Sequence, residues 1–395
     1  GAVTGQVYAG DTPVQQIGRW VVLKDIQAFT NDLAVSKEWE DLTTSFGLYT
    51  ANTKADDWWS LGNQSYHVLQ SGGENLSGIE CNASVEGCGW NYDINSTGDA
   101  NTVAAYTALS YQHGDDLTFD LGLRQENHRV EYTVDEGLDG QITKAVSYDE
   151  SKTSMTLGVN YSISNRMAIF GRTNQGNKMP YFDDFRDNYD AYSAGEDLIK
   201  EVSQYEFGHK YMTDSIQAYT TLFWNEVKGD TFVSRPGAPA EVFTTEAMGV
   251  EFDVNYTNDT GFNLNLNATI QDTEITNSPD YEGNEIQRQP AWQVRMTPSY
   301  DIELGDDMFI TLYGTVSAVD DRWGDNANTV ELEGYEKLDL GVIFEPNERV
   351  KLQLAIDNVT DEMGITEGDP RNPSAPNGRY ILPRSVKFSV SYQLF

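Results

Sequence analysis

No run in this sequence approaches the roughly 20 consecutive apolar residues that a membrane-spanning helix needs. Mean hydropathy is only −0.52. A helical membrane protein is thereby excluded. Basic residues are scarce: 26 Lys and Arg stand against 62 Asp and Glu, a formal charge of −36. Nucleic acid is therefore not expected as a partner, because phosphate backbones are held in basic grooves. Cysteine is nearly absent. Cys81 and Cys88, in CNASVEGC, make no CxxC and have no histidine nearby, so no zinc site is expected. No GxSxG, HExxH, Walker or GxGxxG motif occurs, and the four histidines are scattered. No enzyme is expected. His209 alternates with Tyr205, Phe207 and Tyr211 and reads as an outward-facing belt residue. No signal peptide opens the chain, and Gly1 is not an initiator, so the start reads as cleaved or truncated.

Aromatics, by contrast, are abundant. Tyr, Phe and Trp make up 12% of the residues, which argues against disorder and for strands. The dominant pattern is period-two alternation. In GFNLNLNATIQ, Phe262, Leu264, Leu266, Ala268 and Ile270 alternate with Asn263, Asn265, Asn267, Thr269 and Gln271. Met248, Val250, Phe252, Val254 and Tyr256 alternate with Gly249, Glu251, Asp253 and Asn255. The pattern predicts fifteen strands, near 21–38, 41–56, 101–113, 116–133, 152–164, 166–176, 200–212, 215–229, 247–257, 261–276, 291–304, 308–320, 334–346, 349–359 and 384–395. Many reach the roughly 9–11 residues with which a tilted strand crosses a bilayer. Short turns such as His113–Asp116 and Thr257–Thr260 alternate with long connections near 60–99, 134–151, 177–199, 230–246, 277–290, 321–333 and 360–383. Short turns at one end and long loops at the other are the plan of an outer-membrane β-barrel. The fold class is therefore all-β, a transmembrane antiparallel barrel occupying 1–395, with outer-membrane lipid and lipopolysaccharide around it.

Energetics assign the faces. A charge facing the bilayer midplane costs about 2–4 kcal/mol, so Glu251 and Asp253 line the lumen. Tyr256, Tyr300, Phe344 and Tyr392, near strand ends, are expected in interface girdles. The last strand ends in the periplasm, which makes every short turn periplasmic and every long loop extracellular. First and last strands then run the same way. Such a sheet cannot close with antiparallel neighbours alone, unless residues 1–10 or further upstream chain add a strand.

Three segments resemble the TonB-dependent outer-membrane receptors. Phe29–Ser36 is similar to an early barrel strand of that family. Arg166–Asp184, with Phe170, Gly171, Arg172, Gly176, Lys178, Met179 and Pro180, resembles its mid-barrel motif. Asp357–Asp361, Gly378-Arg379 and the final alternating strand are similar to its closing segment. The resemblance implies the last fifteen or so strands of a barrel of about 22. The plug that fills the lumen is not in this chain. It implies nutrient uptake, of a siderophore, cobalamin or an oligosaccharide, driven by the TonB–ExbB–ExbD complex through that plug. A passive sixteen-stranded porin and an adhesive or structural barrel are the competing readings.

Candidate sites lie in the long loops. Trp58, Trp59, Trp90, Tyr92, Tyr181, Phe182 and Trp323 are candidates to stack on a small-molecule or glycan ligand. No resident cofactor is expected. Asp183, Asp184 and Asp187, and separately Asp320, Asp321 and Asp325, offer the hard oxygens that calcium prefers, with solvated acid the blander reading. A disulfide between Cys81 and Cys88 suits an oxidising compartment, with free thiols the alternative.

Overall fold

The computed structural model describes residues 14–69, 75–76, 90–233, 240–305, 307–369 and 377–394. Fifteen long strands form one meander: β1 (Val14–Glu38), β2 (Leu42–Leu69), β3 (Asn91–His113), β4 (Leu117–Glu136), β5 (Lys144–Ser164), β6 (Met167–Lys178), β7 (Lys200–Met212), β8 (Ile216–Val233), β9 (Ala240–Thr257), β10 (Phe262–Asn277), β11 (Trp292–Gly305), β12 (Met308–Val319), β13 (Tyr335–Asn347), β14 (Val350–Asp357) and β15 (Ser385–Tyr392). Each pairs antiparallel with its sequence neighbour, and β1 and β15 are the two edges. The short turns all lie at one end. At 258–261 the turn needs Gly261, whose φ is 89° and whose added Cβ would sit 2.3 Å from the Asp301 carbonyl oxygen.

The expected faces are present. Asn265 donates to Asn255 Oδ1 at 2.7 Å across β10 and β9, beside Glu251 and Asp253. Met248, Phe252 and Ile270 project from the other face and are exposed. Tyr256, Tyr300, Phe344 and Tyr392 sit on that outer face near the turn end. His209 shares the outer face with Tyr205 and Phe207.

Strand lengths depart from expectation at the other end. β2 has 28 residues and β1 has 25, against the 16 and 18 of the predicted spans 41–56 and 21–38. β3, β5 and β9 likewise begin about 7–10 residues earlier than the alternation suggests. Strand therefore occupies parts of the connections expected at 60–99, 134–151 and 230–246: β2 runs to Leu69 and β3 starts at Asn91, β4 runs to Glu136 and β5 starts at Lys144, and β8 runs to Val233 and β9 starts at Ala240. The reason is a reversal of polarity along the strands. On β4, Phe119, Leu121 and Leu123 face outward, while Asp120, Arg124 and Glu126 face the lumen. Beyond this level the outward positions become Gln125, Asn127, Arg129 and Glu131, and the lumenal ones become His128, Val130, Tyr132 and Val134, all four buried. The strands have left the hydrocarbon, so the rule that marked the outer face as apolar no longer holds.

Residues 14–20 continue β1, and the segment 1–10, expected to add a further strand, lies outside the described residues. Three further loops lock together. Asn328 receives the Glu285 N–H at 2.9 Å and donates to the Glu285 carbonyl at 3.0 Å, and Arg288 donates to the Gly368 carbonyl at 3.0 Å.

Candidate functional site: the long-loop mouth

The 179–199 connection folds into two short helices, α1 (Phe182–Asp187) and α2 (Tyr189–Ser193). Asp184 starts α1 by accepting the Tyr181 N–H at 2.9 Å. The helices lie on the apolar upper lumenal wall. Phe185 is wholly buried and meets Tyr148 edge-on at 5.1 Å. Phe182 stacks on Tyr132 at 5.5 Å. It does so over Gly98, where a Cβ would stand 2.4 Å from its ring. Gly98→Val is therefore expected to push Phe182 off the wall; loss of proteolytic protection of 179–199 with unchanged barrel assembly would show it, and unchanged protection would count against it.

Arg186 supplies the charge. Its guanidinium is buried, lies 4.3 Å over Trp59, and donates to Asp187 at 2.8 and 3.0 Å and to Asp183 at 2.7 Å. Burial alone would lower its pKa, but the bonds and charges of Asp187 and Asp183 outweigh that and raise it. Lys24 completes the group, 3.1 Å from buried Asp57 and 3.5 Å from Asp183. Burial pushes the Tyr132 hydroxyl up to about 12.

One side of the pair is pinned by His128, which is 1% exposed. A carbonyl only accepts, so Nε2–H donates to the Pro180 oxygen at 3.0 Å, and Nδ1 accepts from the Thr102 hydroxyl at 2.8 Å. Burial lowers its pKa from 6.5; the Pro180 bond and the charge of Glu126 act in the opposite sense. A docked state with a depressed histidine pKa binds fewer protons than the undocked one. Docking is thus fully favoured above 6.5 and weakens as pH falls from there toward the lowered value. Amide exchange of α1 and α2 should rise between neutral and mildly acidic pH, and His128→Gln should flatten that dependence. An equally steep profile in the variant would refute the assignment to His128.

The other side rests on a strand edge. β6 pairs with β5 only from Met155 onward, which leaves the upper edge of β5 open. Tyr189 accepts the Ala145 N–H at 3.3 Å; Tyr192 accepts the Ser147 N–H at 3.2 Å and donates to the Ser147 carbonyl at 2.8 Å.

Of the aromatic candidates, Trp59, Tyr92, Tyr181 and Phe182 come together here. Trp58 sits on the outer face, Trp90 pairs with Trp20 at 6.3 Å, and Trp323 lies in a ribbon with Glu331–Leu332. The acids have other partners. Asp183 and Asp187 hold Arg186, and Asp184 holds Lys178 at 3.3 Å. Asp325 accepts the N–H groups of Thr329 and Val330 at 2.9 and 3.0 Å, which shapes a turn. Asp325→Ala is expected to loosen that turn by about 1 kcal/mol, since two part-buried N–H groups lose their acceptor; exchange at Thr329 and Val330 measures it. Burial and neighbouring Asp321 raise the Asp320 carboxyl. Among the described residues no three such groups gather to hold a metal ion. Cys81 and Cys88 lie outside the described residues.

Gly98, His128, Tyr132, Tyr148, Phe185 and Arg186 were not singled out by the sequence analysis. Their signal is the change of phase in HRVEYTVDE, where Val130, Tyr132 and Val134 alternate out of step with Phe119, Leu121 and Leu123.

A polar lumen, an apolar belt and one-sided long loops define an outer-membrane β-barrel. The TonB dependent receptor-like β-barrel family matches residues 4–359, and the chain belongs to it. This is a family of transport barrels of the outer membrane, without enzymatic chemistry. The pesticin receptor of Yersinia pestis is 23% identical over 320 residues, covering 76% of this chain and 45% of its own length. Two solved structures share the fold. The ferric yersiniabactin uptake receptor FyuA from Yersinia pestis has a TM-score of 0.72 and 18% identity, over 97% of this chain and 55% of that one. The siderophore receptor PiuA from Acinetobacter baumannii has a TM-score of 0.72 and 16% identity, over 94% and 56%. The chain thus spans about half the length of the relatives it matches.

Proposed function

We propose that this chain is the barrel portion of a receptor that binds a scarce metal chelate at its outer face and passes it inward when TonB–ExbB–ExbD acts on a plug. The family match over 4–359 carries this reading. The chelate class is favoured over cobalamin or an oligosaccharide because relatives are named for ferric yersiniabactin and siderophores. The test is uptake of radiolabelled iron from a panel of chelates by cells with and without the full-length gene. Gene- and TonB-dependent uptake of one chelate supports the proposal. Uptake that persists without TonB would sink it.

A further inference from the structure

The two sides of the lumen differ in chemistry. On β4 to β7 the wall carries Arg124, Glu126, Lys152, Arg172, Glu206 and Lys210. The cations there are engaged. Arg124 pairs with Glu126, Lys152 with Glu201 at 3.2 Å, Arg172 donates to Asn174 at 3.2 Å, and Lys210 lies 5.0 Å over Phe170. On β10 to β12 the wall is almost uncharged. Asn265 and Thr269 of β10 pair with Thr297 and Gln293 of β11. At mid-depth the one charge on the lumenal face of these three strands, among the described residues, is Arg295, set between Asn267 and Ser317. Asp301 stands lower, near the turn, and accepts from Asn263 at 2.8 Å and Thr311 at 2.6 Å. Arg295 is exposed, and among the described residues it makes no hydrogen bond, ion pair or ring contact. Asp253, beyond Asn267 on β9, shares its row without pairing with it.

We infer that β10 to β12 form the lane along which an anionic, oxygen-rich chelate passes inward, with Arg295 as its relay. The inference rests on the proposed uptake of a chelate and adds the side of the lumen and the charge of the cargo. In a chain of net charge −36 an anion is repelled from most of the wall. A cation already held by a carboxylate offers it little, because its charge and donors are taken. A free guanidinium presents five N–H donors and a full charge. The amides and hydroxyls around it exchange a bond to water for a bond to the ligand at small net gain. Passage needs attraction strong enough to admit a solute and weak enough to release it. One unpaired cation among neutral partners meets both conditions, whereas a row of free cations would retain the chelate.

The experiment uses cells carrying the full-length receptor and the radiolabelled ferric chelate that the wild type takes up from the panel. Arg295→Gln should lower the maximal uptake rate about threefold, and Arg295→Glu about tenfold or more. Half-saturation and heat-modifiable gel mobility should match the wild type, since the mouth and the strand pairing are untouched. Arg295→Lys should restore most of the rate, because the charge is what acts. A second readout is independent of uptake: the thiol of Asn267→Cys, followed on its own peptide by mass spectrometry. It should react faster with an anionic methanethiosulfonate than with a cationic one. Arg295→Gln should reverse that order, since Glu251 and Asp253 then dominate the local field. A wild-type rate in Arg295→Glu, or a reagent preference that ignores residue 295, would overturn the lane. An equal loss of rate in Arg172→Gln, on the opposite wall, would do so too, because the route would then have no side. Absence of TonB-dependent uptake by the wild type itself would sink the receptor reading on which the lane rests.

Discussion

Truncating Phe185 to alanine should detach the helical pair from the wall while leaving the barrel intact. The ring is fully buried, packed against Tyr148 and, at 5.3 Å, Tyr192. Phe-to-Ala changes at such sites cost about 3–5 kcal/mol. That cost falls on a local docking equilibrium, so the undocked population should rise at least about a hundredfold. Hydrogen exchange across Phe182–Ser193 in the full-length receptor reads it directly. Heat-modifiable gel mobility should be unchanged, because no strand pairing passes through this side chain. Unchanged exchange would mean that the rest of the interface suffices to hold the helices.

A smaller effect is expected at Arg186, for a different reason. Replacement by leucine would leave Asp187 without its cation, while the exposed Asp183 keeps Lys24. Losing charged hydrogen bonds of this kind costs about 1.5–3 kcal/mol. Lysine distinguishes charge from shape. It keeps the charge but can neither grip Asp187 with two bonds nor lie flat on Trp59. Arg186→Lys should thus recover only a minor part of the loss. If lysine restores full protection in hydrogen exchange, simple charge neutralisation is the whole role of this residue.

The membrane-spanning strands were legible because the bilayer imposes a rule on sequence: apolar outside, polar within. Leu264 and Asn265 obey it, and their strand was found within a residue at each end. The upper wall obeys the opposite rule. Val130 and Tyr132 face inward to receive α1, whereas Arg129 and Glu131 face outward, and a reading tuned to lipid passes over the change of phase. The site was legible only in part for a related reason. Aromatic content marks Trp59 and Phe182 as candidates, but it cannot separate them from Trp58, one residue away and on the opposite face. The acids of the 183–187 segment appeared as metal ligands because sequence does not display Arg186 folding back among them. Gly98 carries no local signal, since its small size matters only for a ring that arrives from 84 positions further along.

The open edge at Ala145 and Ser147 bears on biogenesis. An unpaired strand edge is a template on which any passing extended chain can add itself. Hydroxyl groups from Tyr189 and Tyr192 occupy it only when α1 and α2 are docked. With the helices undocked this edge is bare and open to mispairing. Loss of both tyrosines should appear first as a lower yield of assembled barrel in the cell and as aggregated precursor in the periplasm, even if the molecules that complete assembly take up their ligand normally.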